Sequence, residues 1–265
     1  MTPAAAHSFV TVTERPGQAA SRIQLEMLEA RYAWAANQAH GKDVLEAGCG
    51  AGLGLPVLAS AARSVQAGDV DVENLRAAGT ACAGKSNIQL RWFAAEQLPF
   101  PPESFDLVLL FEAIYYLPDA PRFLQEAHRI LRPGGSLLIV TVNPEWIGFN
   151  PSPFRIRYYS AAELQAALEQ AGFAARVQGA FLETGGGASS AIRWSRRAAV
   201  ALKLVPRTMR GKALLKRIFY GGLTRLPGRL PEASRRSPAL EELDGSGAKL
   251  RRCRVLYATA QKPTI

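Results

Sequence analysis

The stretch Val44-Leu45-Glu46-Ala47-Gly48-Cys49-Gly50-Ala51-Gly52 runs from an apolar segment into a carboxylate and then into three glycines at alternate positions. Glycine has no Cβ and tolerates positive φ, so such a turn lets a ligand lie against bare backbone. Leu53 to Arg63 follow, with Leu55, Leu58 and Ala59 at helical spacing, and a helix N-terminus behind the turn favours negative charge. A second carboxylate, Asp69, ends the next apolar run, 21 residues after Gly48. An acid at that place can accept both hydroxyls of a ribose. The strict dinucleotide pattern G-x-G-x-x-G/A fails, because Gly48 and Gly50 would demand a small residue where Leu53 stands.

A different set of groups follows the apolar run Phe105–Phe111. Glu112, Tyr115 and Tyr116 stand where an open α/β sheet would place an acceptor, and Glu112 could serve as a general base toward a hydroxyl or amine. The alternative is a wall residue or helix cap. Next to them in such a fold would come the loop from Asn143 to Phe154, which mixes Trp146 and Phe149 with Pro144, Pro151 and Pro153. That makes a stiff apolar wall, suited to a bulky or apolar acceptor; an ordinary crossover loop would have the same composition. His128 sits inside a helical pattern and reads as structural. Cys49 reads as a small residue beside a ligand, since no partner histidine is identifiable. Cys49, Cys82 and Cys253 show neither zinc-like spacing nor a disulfide framework, so no metal site is expected.

The spacing predicts the elements that would carry these groups. A helix covers Ser21 to Gln38, with Ile23, Met27, Ala30 and Trp34 on one face. Strands are expected at 44–47, 64–68, 88–93, 105–111, 136–142, 173–182 and 255–260, and helices at 53–62, 71–83, 119–131 and 160–171. Asp71 would cap the helix that it precedes. Strands alternating with helices argue for a largely parallel sheet covered on both faces.

In order along the chain, Glu46-x-Gly48-x-Gly50-x-Gly52, Asp69-Val70-Asp71, Ala94-Ala95-Glu96-Gln97-Leu98-Pro99-Phe100, Ser104 to Phe111, and Arg129-Ile130-Leu131-Arg132-Pro133-Gly134-Gly135 resemble the motifs of the class I S-adenosylmethionine-dependent methyltransferases. The helix led by Tyr158-Tyr159-Ser160 and Ala171-Gly172-Phe173 resembles the family's approach to its sixth strand. The resemblance implies a Rossmann-like, seven-stranded, mostly parallel sheet, with strand 255–260 inserted antiparallel between the fifth and sixth. It implies S-adenosyl-L-methionine as methyl donor. Gly48, Gly50 and Gly52 would then face the methionine moiety and Glu46 its ammonium group. Asp69 would hold the ribose, while Val70 and Phe111 would flank the adenine. Many relatives read the adenine amine with an Asp where this chain has Ala94, so the Ala95 amide and Glu96 would take over. Tyr32 would reach the donor carboxylate or pack on the sheet edge.

Charge divides the 265 residues unevenly. Residues 185–249 hold 14 Lys and Arg against 4 Asp and Glu, which equals the net charge of +10 of the whole chain. The expected organisation is a flexible tail over 1–20, a core over 21–184 and 250–265, and a basic helical insertion over 185–249. Within the insertion the pattern predicts helices at 188–205 and 208–220 and a mobile loop over 226–247. The insertion reads as a lid or as an anionic-membrane contact; nucleic acid is the less favoured partner, since no recognisable module accompanies the charge. No apolar run is long enough to span a bilayer, and no secretory signal precedes the core, so a cytoplasmic protein, at most peripheral to the membrane, is expected. The predicted activity is methyl transfer to oxygen, nitrogen or carbon of a small or lipid-linked metabolite. The alternatives are a non-catalytic donor-binding subunit and an RNA or protein methyltransferase docking through the insertion.

Overall fold

The computed structural model describes residues 12–152, 154–183, 222–232, 236–243 and 247–264. In chain order the described elements are β1 (Ala19–Ser21), α1 (Arg22–Gln38), β2 (Asp43–Ala47), α2 (Leu55–Ala59), β3 (Ser64–Asp69), α3 (Val72–Ala81), β4 (Ile88–Trp92) and β5 (Phe105–Phe111). They continue with α4 (Ala120–Ile130), β6 (Leu131–Val142), α5 (Ala161–Gln170), β7 (Ala174–Leu182), β8 (Leu223–Arg225), β9 (Glu241–Glu242) and β10 (Cys253–Gln261).

The main sheet has the order β4-β3-β2-β5-β6-β10-β7-β9. The pairs β4/β3, β3/β2, β2/β5 and β5/β6 are parallel, while β10 runs antiparallel to both β6 and β7. This is the expected seven-stranded arrangement with an eighth strand added, since β9 pairs Glu241 and Glu242 with Gly179 and Gln178 at the outer edge. Each central strand buries both faces by alternation. Val44, Leu107, Leu109 and Val140 pack with Leu28, Tyr32 and Leu58 of α1 and α2. Leu45, Val108, Leu110 and Ile139 pack with Phe123, Leu124, Leu164 and Leu168 of α4 and α5. Two helix layers around a parallel sheet follow from that double burial.

Local chemistry sets the helix starts. Ser21 and Ser160 form capping boxes with Gln24 and Glu163, and Asp71 caps α3 as expected. At the opposite end of the sheet from the glycine turn, Asp43 and Asp106 share Arg63 and Arg132, and the hydrogen bond from Arg63 holds the Asp43 carboxyl well below the usual range.

Several boundaries differ from the sequence expectation. The helix after the glycine turn is only the five residues Leu55–Ala59, because the turn itself continues through Gly54. β6 begins at Leu131 rather than 136, with a register shift opposite Phe105/Leu107 that accommodates Pro133-Gly134-Gly135. Of the segment expected to be a loose tail, residues 12–20 are packed on the domain: β1 pairs antiparallel with β8, and the Gly17 amide donates to the Leu226 carbonyl at 2.9 Å. The described parts of 226–247 are likewise held. Leu226 and Leu230 are buried, and the Leu230 amide donates to the Leu53 carbonyl at 2.8 Å. Apolar side chains spaced four apart were hidden there among Pro, Gly and charge. The predicted helices at 188–205 and 208–220 lie outside the described residues.

Candidate donor and acceptor site

The sheet order reverses between β2 and β5, and ligands of open α/β sheets sit at the carboxyl ends of strands flanking such a point. A cavity of about 990 Å³ lies there. Every residue that the sequence suggested for holding the donor or for chemistry on the acceptor lines it: Tyr32, Glu46, Gly48, Gly50, Gly52, Asp69, Val70, Ala95, Glu96, Phe111, Glu112, Tyr115 and Tyr116.

The glycine turn is stitched to β3. The amides of Gly48 and Cys49 donate to the Gly68 carbonyl at 2.8 and 3.0 Å. The Gly50 amide donates to Asp69 Oδ2 at 2.9 Å. Gly50 and Gly52 both have positive φ, +55° and +70°. Their missing Cβ atoms serve different neighbours: one at Gly50 would stand 2.8 Å from Thr13 Cγ2, and one at Gly52 would stand 2.7 Å from Ala78 Cβ of α3. Gly52 is therefore as much a packing requirement as a ligand surface.

Glu46 is buried at the end of β2. Its Oε1 accepts from the Tyr32 hydroxyl at 2.7 Å, while Oε2 has no partner. Burial pushes its carboxyl up to about 8. Tyr32 thus spends its hydroxyl on Glu46, and its ring meets Phe111 edge-on at 5.5 Å. Asp69 is also buried, and burial raises its carboxyl. Its oxygens accept from the amides of Gly50 and Asp71 and from Asn74 Nδ2. Three of roughly four lone-pair positions are engaged, so Asp69 orients the turn besides facing the cavity. Val70 is 41 % exposed at the rim, its carbonyl bonded to the Trp92 indole at 2.8 Å. The loop carrying Ala95 and Glu96 is tied to α4, since the Leu98 amide donates to Glu126 Oε2 and Arg129 donates to the carbonyls of Leu98 and Phe100. Glu96 Oε1 is buried without a partner.

At the acceptor end, Glu112 follows β5 with φ +51°, a left-handed conformation rare for a residue with a side chain. Its Oε2 accepts from the Tyr115 hydroxyl at 2.9 Å, and burial raises its carboxyl to about 7. Tyr115, Tyr116, Tyr158 and Phe149 form one aromatic cluster, with centroid separations of 4.4 to 5.1 Å. His128 packs edge-on against Phe173, away from the cavity lining.

Sequence reasoning missed the N-terminal contribution. Thr13, Glu14 and Arg31 line the cavity. Arg31 is buried and ion-paired with Glu14, and its Nε has no partner. The signal was present in the Arg31-Tyr32 pair of α1, but only one of its two members was read as polar toward the site.

Comparison with known proteins adds to this geometry. Residues 45–139 match the family described as a methyltransferase domain, a span that holds Glu46, the glycine turn, Asp69 and Glu112. A probable S-adenosylmethionine-dependent methyltransferase of Mycolicibacterium smegmatis is 38 % identical over 167 residues, 60 % of this chain and 62 % of that protein. Over this span the chain is similar to the S-adenosylmethionine-dependent methyltransferases. A second methyltransferase, the phthiotriol/phenolphthiotriol dimycocerosates methyltransferase 1 of Mycobacterium ulcerans, is 40 % identical over 107 residues, 39 % of each chain. The chain therefore spans less than two thirds of either relative's own length. The methyltransferase fold extends further than the sequence match. The crystal structure of the [4+2]-cyclase SpnF superposes with a TM-score of 0.60, covering 95 % of this chain and 88 % of that one at 19 % identity. SpnF is named as a cyclase, so the shared fold alone does not define a reaction.

Proposed function

We propose that the protein transfers a methyl group from S-adenosylmethionine to an apolar small-molecule or lipid-linked acceptor held beside Glu112. The observation that carries this reading is the cavity that holds Glu46 Oε2 and Glu96 Oε1, buried acceptors without donors, together with the Glu112–Tyr115 pair. A buried acceptor without a donor is costly, and the donor molecule's ammonium and adenine amine would supply what these two lack. The Arg31 guanidinium, with its unpartnered Nε, would receive the donor's carboxylate in place of Tyr32, whose role becomes that of holding Glu46. Asp69 would accept from the ribose, and Val70 would cover the adenine. Phe111 lies two strands over from β3, roughly 10 Å away at sheet spacing, and so belongs with Tyr32 at the methionine end.

The bound donor supplies a reactive methyl sulfonium, so the chain's own work is alignment and exclusion of water. Glu112 would take the proton from an acceptor hydroxyl or amine as the oxygen or nitrogen attacks. Its raised carboxyl places that base near neutrality. The aromatic cluster and the loop after β6 make an apolar acceptor the better fit, as does a relative whose name specifies dimycocerosates.

Calorimetry with S-adenosylmethionine and with NAD tests the donor. Binding of the former is expected, with an Asp69→Ala variant weaker by about 1–3 kcal/mol. Preferred binding of NAD would reject the site. Transfer from labelled donor into fractionated extract tests the acceptor: label should enter the lipid or small-molecule fraction, whereas label in RNA or protein would favour docking through the basic insertion.

A further inference from the structure

We propose that the loop following β6, through its described residues 146–152 and 154–157, is a lip that rests on an anionic lipid surface and passes the acceptor from the bilayer into the cavity. This deepens, and rests on, the reading of the Glu112 end as an apolar acceptor site. Isolated exposed apolar side chains are ordinary on protein surfaces. Here Ile147, Phe154 and Ile156, 49 %, 51 % and 56 % exposed, come from one loop, and Phe154 and Ile156 also line the cavity. Phe154 and Ile156 thus form both the wall of the cavity and the surface outside it, and Ile147 extends that surface.

The loop cannot simply fold these side chains inward, because it is pinned from within. The Ser152 amide donates to the Tyr158 hydroxyl at 2.7 Å, and the Ile156 amide donates to the Tyr115 carbonyl at 2.8 Å. Phe149 packs edge-on against Tyr158 at 4.8 Å, and the Ile147 amide donates to the Arg251 carbonyl at 3.0 Å.

Charge favours a lipid over a protein partner. Arg155 stands exposed between Phe154 and Ile156, and the exposed Arg251 and Arg252 flank Ile147 through that backbone bond. Arg157 is committed to Glu163 at 2.9 Å and adds little. Glu145 is the exposed opposing charge in the stretch leading into the lip. Apolar side chains that enter the acyl boundary, with cations left at the headgroups, are the pattern of an interfacial element. A cavity opening among those side chains would take an apolar acceptor without carrying it through water.

Sedimentation of the full chain with phosphatidylcholine vesicles, with and without phosphatidylglycerol, tests this. Binding to the anionic vesicles is expected, and Ile147→Ser with Phe154→Ser should weaken it at least tenfold at physiological salt. Melting temperature and S-adenosylmethionine affinity should stay at wild-type values, since the donor-side residues lie elsewhere. If the double variant fails to fold, Arg155→Glu alone should weaken anionic binding severalfold. Vesicle binding that ignores these substitutions would place the contact on the basic insertion and overturn the proposal. A chain that binds the donor but no vesicle would overturn it too, whereas one that binds no donor would overturn the reading of the cavity instead.

Discussion

Glu112 combines three properties that ordinary wall residues do not share: a left-handed backbone, a hydroxyl partner in Tyr115, and a carboxyl raised to about 7 by burial. Backbone strain of this kind persists only where the surrounding structure enforces it, and it gathers at functional sites. If Glu112 is the base, turnover should rise with pH through about 7, where the carboxyl ionises. Glu112→Gln should lower kcat by roughly 10²–10⁴-fold and flatten that rise; a profile unchanged by the substitution would return Glu112 to the wall. Glu46 makes a second pH prediction. Its carboxyl moves from 4.5 to about 8, so the folded chain holds a proton that the unfolded chain has released. The free protein should lose stability as pH rises through that window. The donor's ammonium selects the ionised carboxylate, so the melting-temperature gain on adding S-adenosylmethionine should be larger at pH 8 than at pH 6. An equal gain at both would separate Glu46 from the donor.

The elements around the site were legible to different degrees. The double burial of β2, β5 and β6 appears in the sequence as continuous apolar runs, and the glycine turn and Asp69 fall at their ends. Glu46, the glycine turn and Asp69 could therefore be named from spacing, whereas Tyr32, Val70, Ala95, Glu96 and Phe111 came from the family resemblance. Roles were harder to read than places. Tyr32 and Asp69 are engaged with the protein itself, and no sequence pattern says which polar group a tyrosine 14 residues away will meet. The strap that β1 and β8 form over the glycine turn was invisible because its pairing is non-local: β1 and β8 are joined across some 200 residues, and each is three residues long. The pairing brings Thr13 over Gly50 and buries Leu230 beside Leu53. Leu230→Ala should therefore cost about 2–4 kcal/mol in denaturant unfolding, whereas a free loop would show no change. Gly52→Ala should also destabilise, because the new methyl would press on α3 at 2.7 Å. A loss of donor affinity in that variant is interpretable only after its stability is measured.

Across the whole molecule, residues 188–221 of the basic block are expected to be separable from the donor end of the cavity, whereas β8 and Leu230 of the same block are packed against it. Replacing 188–221 with a Gly-Ser linker long enough to span the gap retains β8, and with it the strap. Donor affinity in calorimetry should then match that of the intact chain, while acceptor turnover should fall if the insertion helps to seat the acceptor. A loss of donor binding would mean that the insertion holds the strap in place. Among the described residues no helix is long and apolar enough to cross a membrane.

The position of β10 has a consequence for synthesis. β7 never touches β6 directly, because residues 253–261 fill the space between them. While those residues are still unmade, the half-sheet β4-β3-β2-β5-β6 can assemble. β7 and α5 then have no backbone partner joining them to it, and β6 presents an open edge. Such an edge pairs readily with other chains. A nascent chain stalled before residue 253 should thus carry an assembled donor end and an aggregation-prone flank. Chaperone capture is expected to cease only when the final strand slides in.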